Sequence, residues 1–327
     1  MISLYFTKGR TMIQAFLAQA GAAVSSDQAD PRIPTNEAGQ FTENLHHMAN
    51  YFAFTQDQFH AVSHILTLGF GVFAAALFYF VLTIKDVAPK YRLSNVLSCV
   101  VSISALLILA NQAFAWQLTF VYDGTIERYV RRDGFMFSNG FRYMNWAIDV
   151  PHLLLQMLVV LPLVSMAKKW SYGVQFVVAG LIMIIVSWIG AFFETYAQVE
   201  GVSGSAFWLN EIIGWIAYLY IVYIVIKVVQ EAKQNVADDV KGPLNAILGV
   251  LIVSWTVYGV VLFQPAIWWS AESVVTRQVM FTVADITSKA IYGVILSVVA
   301  AKISKHEGFN KETQQFENTG GAQPATS

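Results

Sequence analysis

Val279-Met280-Phe281-Thr282-Val283-Ala284-Asp285-Ile286-Thr287-Ser288-Lys289-Ala290-Ile291-Tyr292-Gly293-Val294-Ile295-Leu296-Ser297-Val298-Val299 is an apolar run long enough to cross a bilayer, and it carries a lysine near its middle. An ammonium in hydrocarbon is unfavourable unless it is paired, neutralised or put to chemical use, which singles out Lys289. Asp285 lies four residues earlier, so on a helix both side chains share one face, one turn apart. Two readings follow. The pair is a buried ion pair holding helices together, or Lys289 forms a Schiff base with a carbonyl cofactor and Asp285 is a counterion.

The rest of the chain fixes the class. Its 327 residues are 56% hydrophobic and 13% charged, with mean hydropathy +0.52, too apolar for a soluble globule and typical of a polytopic membrane protein in a lipid bilayer. The net charge of -1 points to no particular partner, and no nucleic acid is expected. The single cysteine, Cys99, lies in an apolar run, cannot form an internal disulfide and reads as a small core residue.

Outward from the lysine-bearing run, seven spans are expected at 59–84, 95–118, 138–166, 172–196, 206–230, 244–265 and 275–303. Residues 1–40, with Lys8 and Arg10 ahead of a modestly apolar stretch, read as a leader or disordered segment outside the folded unit. Residues 41–54 read as a short amphipathic helix on the outer surface, with His46 and His47 exposed rather than metal-bound. Residues 118–137, alternating around Asp123-Gly124, suggest an outer β-hairpin, and 306–327 a disordered cytoplasmic tail. Lysines and arginines gather in alternate loops (Lys85, Lys90 and Arg92; Lys168 and Lys169; Lys233 and Lys241; Lys302 and Lys305). This puts the N-terminus outside and the C-terminus in the cytoplasm.

In the third span Arg142, Asn145, Asp149, His152 and Gln156 recur at threes and fours, one polar stripe along a helix face that must turn away from lipid. Hydroxyl or small residues would serve mere packing; an arginine and an aspartate are expensive choices there.

With these motifs in hand, the chain resembles the microbial (type 1) rhodopsins: Arg142-Tyr143 and Trp146 followed by Pro151 in the third helix, Trp255 and Tyr258 in the sixth, Asp285 and Lys289 in the seventh. It is most similar to the light-driven sodium pumps, whose Asn, Asp and Gln positions are occupied by Asn145, Asp149 and Gln156. The resemblance runs from about Glu43 to Lys305 and implies an all-α membrane protein. That fold is a seven-transmembrane-helix rhodopsin bundle with a short N-terminal helix and an extracellular β-hairpin, its retinal-binding domain at 41–305.

It further implies covalent all-trans retinal on Lys289, clamped by Trp146 and Trp255 with Tyr258 and Phe281 nearby. Asp149 is then counterion and transient proton acceptor, because Asn145 cannot take the imine proton and Gln156 cannot resupply one. A sodium ion, the transported substrate, would enter past Asn95, Ser104 and Gln156, pause at Asn145 and Asp285, and leave past Gln112 and an outer gate of Arg142, Glu194 and Arg277. A homo-oligomer, a pentamer in the family, in a bacterial plasma membrane is implied as well. So is a side window at Gly190 for a carotenoid antenna, although glycine there also suits close packing.

The chain departs from the family at Gly259, where proline is common, at Ser297 near the cytoplasmic entrance, and at Phe135, where an acidic residue can face the first-helix histidine, here His64. His152, beside Pro151, reads as a proton relay to Asp149 or as a hydrogen-bonded core residue. The rival functions are an outward proton pump, active when sodium is scarce, and a photosensor. No enzyme activity is expected, and the polar tail suggests no transducer.

Overall fold

The computed structural model of the protein describes residues 29–163 and 165–317. Seven long helices form a closed ring: α1 (Gln56–Thr83), α2 (Arg92–Thr119), α3 (Gly140–Val160), α4 (Met166–Ala191), α5 (Gly204–Lys233), α6 (Asp238–Leu262) and α7 (Ala271–His306). Each packs on its sequence neighbours, and α7 returns against α1. Six are long and apolar enough to cross a membrane; α3, carrying Arg142 and Asp149, is not among those six. Exposed apolar side chains such as Phe78, Leu82 and Trp170 face outward while Asn95, Asp149 and Gln156 are buried, the inverse of a soluble protein.

Local chemistry sets the helix ends. Thr55 and Gln58 form a reciprocal capping box at α1, and Ser165, Ser203 and Ser270 each accept from a first-turn backbone N–H. The third span ends at Val160, not 166, because Pro162 forces Leu161 into extended geometry. Inside α7, Ile286–Ile291 is a π-helical turn around Lys289. Such a bulge rotates the side chains after it and is common at functional sites.

The expected hairpin is present as β1 (Phe120–Asp123) and β2 (Arg128–Arg131), antiparallel with Phe120 opposite Arg131. The N-terminal segment differs from its sequence reading. Residues 41–54 contain only a 3-10 turn, Met48–Tyr51, and Phe41, Leu45, Tyr51, Phe52 and Phe54 are buried in the protein, so no helix turns an apolar face to a membrane surface. The segment instead plugs the β1–β2 end of the bundle, bridging to Tyr129 and Val199. His47 is correspondingly buried and bonded to Ser138 at 2.7 Å; only His46 is exposed.

Residues 29–40 also belong to the folded unit, since Asp30 N–H donates to the Tyr51 carbonyl and its carboxylate pairs with Arg32 at 2.7 Å. Residues 1–28 of the expected leader lie outside the described residues. At the opposite end the tail is not featureless, because Phe309–Asn310 and Gln315–Phe316 pair as a small hairpin (β3, β4) and Glu307 accepts from Lys90 and Tyr91, both at 2.8 Å. Residues 318–327 lie outside the described residues.

Gly69 marks a close crossing of α1 with its neighbours. A methyl there would come within 2.7 Å of Thr282 Cγ2 on α7 and 2.9 Å of Leu109 Cδ1 on α2. Gly69→Ala is expected to destabilise the bundle by ~1–3 kcal/mol through overpacking, read as a lower thermal unfolding midpoint in detergent. An unchanged midpoint would show that the crossing relaxes freely.

Candidate functional site

Three oxygens converge on one nitrogen at the centre of the bundle. Lys289 Nζ donates to Asn145 Oδ1 at 2.8 Å and lies 2.8 Å from both Asp149 Oδ2 and Asp285 Oδ1. All four residues are buried. The α3 spacing presents Asn145 and Asp149 on consecutive turns, and the π turn of α7 aims Lys289 between them.

The two carboxylates are built differently. Asp285 is saturated: Oδ1 also accepts from Tyr258 Oη at 2.7 Å and Trp146 Nε1 at 3.1 Å, and Oδ2 from Arg142 Nη1 at 2.8 Å. Asp149 meets Nζ through Oδ2, and among the described residues its other hydrogen-bonding neighbour is the Ser104 hydroxyl. Asn145 is fixed by donating from Nδ2 to Ser104 Oγ at 2.7 Å.

From Lys289 a narrow, predominantly apolar cavity runs between α3, α4, α5 and α6. Trp146, Trp255 and Tyr258 line it, as expected from the sequence, with Lys289 and Ser288 at one end and Trp215 and Gly259 towards the other. Gly259 has a definite role here, because a Cβ would stand 2.5 Å from the Trp215 indole. Phe281 stands nearby as expected, behind the cavity wall, edge-on to Trp146 and stacked on Tyr258, with its ring centroid 5.5 and 5.6 Å from the guanidinium carbons of Arg142 and Arg277.

The expected outer gate is therefore two tiers. Arg142 turns inward to Asp285, Gln278 (3.3 Å) and Thr282 (3.1 Å), while Arg277 pairs separately with Glu194 at 2.8 Å. Glu194 also accepts from Met48 N–H at 2.8 Å and faces His47 Nδ1 at 3.8 Å. Burial opposes ionisation of Glu194, but Arg277 and these donors outweigh it and hold the carboxyl below the usual range. Burial pushes the His47 imidazole down against the pull of Glu194. Gln112 donates to the Ser138 carbonyl at 2.8 Å beside this tier.

On the other side of Lys289, Gln156 Oε1 accepts from Ser98 at 2.9 Å, and its Nε2 has no partner among the described residues. Asn95 bonds Ser297 at 3.0 Å and the Thr83 carbonyl at 3.1 Å. Ser104 belongs beside Asn145, level with Lys289, rather than with Gln156 and Asn95. His152 leaves the interior stripe altogether: its Nδ1 bonds the Ile148 carbonyl at 2.6 Å on the outer side of α3, away from any relay to Asp149. Gly190 is filled from α5, since a Cβ there would be 3.1 Å from Asn210 Cβ and 3.3 Å from Glu211 Oε1. The sequence reading passed over Ser98, Gln278 and Glu211. Glu211 could have been found, as a glutamate inside an apolar span, by the argument applied to Lys289.

The sequence profile of the bacteriorhodopsin-like protein family matches residues 60–303, most of the chain. The chain belongs to the bacteriorhodopsin-like family. Over 167 residues it is 25% identical to a green-light absorbing proteorhodopsin of Gamma-proteobacterium EBAC31A08, covering 51% of this chain and 63% of that protein. Over 157 residues it is 26% identical to bacteriorhodopsin-II of Haloarcula marismortui, covering 47% and 57%. The chain thus spans less than two thirds of the length of these relatives.

Among solved structures, thermophilic rhodopsin superposes with TM-score 0.71 at 25% identity over 79% of this chain and 99% of that one. Xanthorhodopsin, described as a light-driven ion pump with dual chromophore, gives 0.71 at 24% over the same shares. Membership of a microbial rhodopsin family implies a retinal chromophore. The apolar cavity of this bacteriorhodopsin-like protein, closed at one end by a buried primary amine with two carboxylates, fits one.

Proposed function

We propose that this bacteriorhodopsin-like protein is a light-driven outward sodium pump. The observation that carries the reading is the asymmetry around Lys289 Nζ: of its three oxygen neighbours, only Asp149 is an acid with bonding capacity to spare. Retinal, bound to Lys289, would supply light absorption and a change of shape that reorients the proton on Nζ.

In the resting state two positive groups, Lys289 and Arg142, face two negative ones, Asp149 and Asp285. A sodium ion about 4 Å from a positive Nζ is repelled by roughly 4 kcal/mol at an effective dielectric of about 20. Transfer of the Nζ proton to Asp149 neutralises both partners and removes that barrier. Asp285, already accepting from Arg142, Trp146 and Tyr258, stays ionised. Asn145 Oδ1 and Asp285 Oδ1, which both point at Nζ, are then free to hold a hard cation, for which oxygen ligands are suited.

Return of the proton from Asp149 restores the charge behind the ion. The amide of Gln156 holds no transferable proton, so it cannot convert the cycle into proton transport. Entry passes the Asn95–Ser297 and Ser98–Gln156 pairs. Exit requires Arg142 to swing from Asp285, then passage by Gln112 and the Glu194–Arg277 pair. Lys85, Lys90, Lys168, Lys233 and Lys302 flank the end opposite β1–β2, which supports a cytoplasmic assignment for it and a bacterial plasma membrane topology with the N-terminus outside. A homo-oligomer remains part of this reading, and Phe135 and His64 are both exposed on the single chain.

Illuminated cells test the cycle. In sodium medium, cation export is expected to draw protons in passively, so the medium becomes alkaline and more so with a protonophore, whereas potassium medium gives no such response. Acidification of sodium medium that a protonophore abolishes would indicate proton export and overturn the reading.

A further inference from the structure

The mechanism above leaves unused one buried acid within the seven described long helices. Glu211 on α5 is 1% exposed, and no group among the described residues donates to its Oε2. It lies in the wall of the cavity that begins at Lys289, carried by α5 and packed against α4, whereas the amine is carried by α7. The placement is built by small residues on both helices. Gly190 on α4 leaves the space where Glu211 Oε1 sits, 3.3 Å from the position of a missing methyl. One turn away, Gly214 admits Ser187, whose Oγ would be 2.8 Å from a Cβ.

Charged and titratable groups reach Glu211 from the other elements: Arg277 on α7, Glu194 after α4 and Tyr143 on α3. Arg277, held by Glu194 at 2.8 Å, is the one positive group in this set, and its attraction extends to Glu211. On the amine side of the cavity stand Lys289, Asp149, Asp285 and Tyr258.

Resting on the reading that retinal occupies this cavity, we propose that Glu211 is a colour-setting residue, an acid at the remote end of the chromophore whose ionisation moves the absorption maximum to longer wavelength. Excitation of a positively charged polyene imine shifts positive charge from the nitrogen towards the opposite end of the conjugated chain. An anion beside that end stabilises the excited state more than the ground state and narrows the gap. An anion beside the nitrogen, such as Asp149 or Asp285, does the reverse. The two classes of acid therefore have opposite spectral signs. Protonating Asp149 shifts absorption to the red, and protonating Glu211 shifts it to the blue.

The test is a pH series of absorption spectra on the full chain reconstituted with all-trans retinal, wild type beside Glu211→Gln. The wild type is expected to show a component that moves to longer wavelength as pH rises, by about 10 nm for a charge a few ångströms from the chain end at an effective dielectric near 20. Glu211→Gln is expected to lack that component while keeping the oppositely signed acid transition of the Lys289 counterions. Superimposable pH series would overturn the proposal and leave the retinal reading intact, whereas a wild type that forms no visible pigment would overturn both. If Glu211→Gln forms no pigment, Gly190→Ala carries the same test, because its methyl presses on Oε1. A displaced midpoint of the blue-to-red component supports the role, and an unmoved one refutes it.

Discussion

Asp149→Asn is expected to stop light-driven sodium export and the deprotonation of Lys289 Nζ together. The substitution keeps the size of the side chain 2.8 Å from Nζ but removes the only carboxylate there with spare bonding capacity. Asp285 is no substitute acceptor, since Arg142, Trp146 and Tyr258 already stabilise it as an anion. A positioned proton acceptor contributes ~10²–10⁴-fold to a rate, so transport should fall by at least ~100-fold. The variant also leaves Lys289 and Arg142 facing a single negative charge, and breaking a buried pair costs about 3–5 kcal/mol, which lowers thermal stability. Flash spectroscopy should lack the short-wavelength phase that reports loss of the Nζ proton. Sodium export at the wild-type rate in this variant would remove the mechanism.

The parts of this site legible in the sequence share one property: their cost in lipid. Lys289, Asp285, Arg142 and Asp149 stand out because a charge inside an apolar run needs a reason, and the structure brings all four into one connected network. Helical spacing predicted the faces of Asn145, Asp149 and Gln156 but misplaced His152, because a stripe of threes and fours is wide enough to include a residue on its edge. Which carboxylate is saturated was not legible, since it depends on donors from α3 and α6 meeting Asp285 on α7.

The division of the arginines was equally hidden. Arg142 and Arg277 lie far apart in sequence, and only their separate ion pairs, to Asp285 and to Glu194, reveal that they serve different acids. The N-terminal plug failed for a further reason. Its aromatic residues look amphipathic in a window of fourteen, yet their burial comes from β2, the loop after α4 and Trp269, contacts with no local signature. Hairpin β3–β4 is similarly tied to the α1–α2 connection through Arg92 and Gln314.

The position of the acceptor along α3 decides the fate of the proton, and Asn145→Asp tests this. Asn145 lies one turn towards Arg142 from the level of Asp149, on the β1–β2 side of the bundle, and its Oδ1 is 2.8 Å from Nζ. A carboxyl placed there competes with Asp149 for the Nζ proton, and the Ser104 hydroxyl, which now accepts from the amide, can turn to donate to it. A proton captured on that side has Arg142 and the Glu194–Arg277 tier ahead of it and is released outward rather than handed back. The same exchange removes the neutral oxygen that completes the proposed sodium cradle with Asp285. Sodium export is therefore expected to drop at least ~10-fold, one bidding ligand and one competing acid together being worth about 1.4 kcal/mol or more. In its place a flash should release a proton, detectable with a pH-sensitive dye, that persists in sodium-free medium. Because Gln156 cannot resupply Nζ, recovery should be slow and should speed up as pH falls. Undiminished sodium export without proton release would mean that the side of Nζ on which the acid stands does not govern which ion moves.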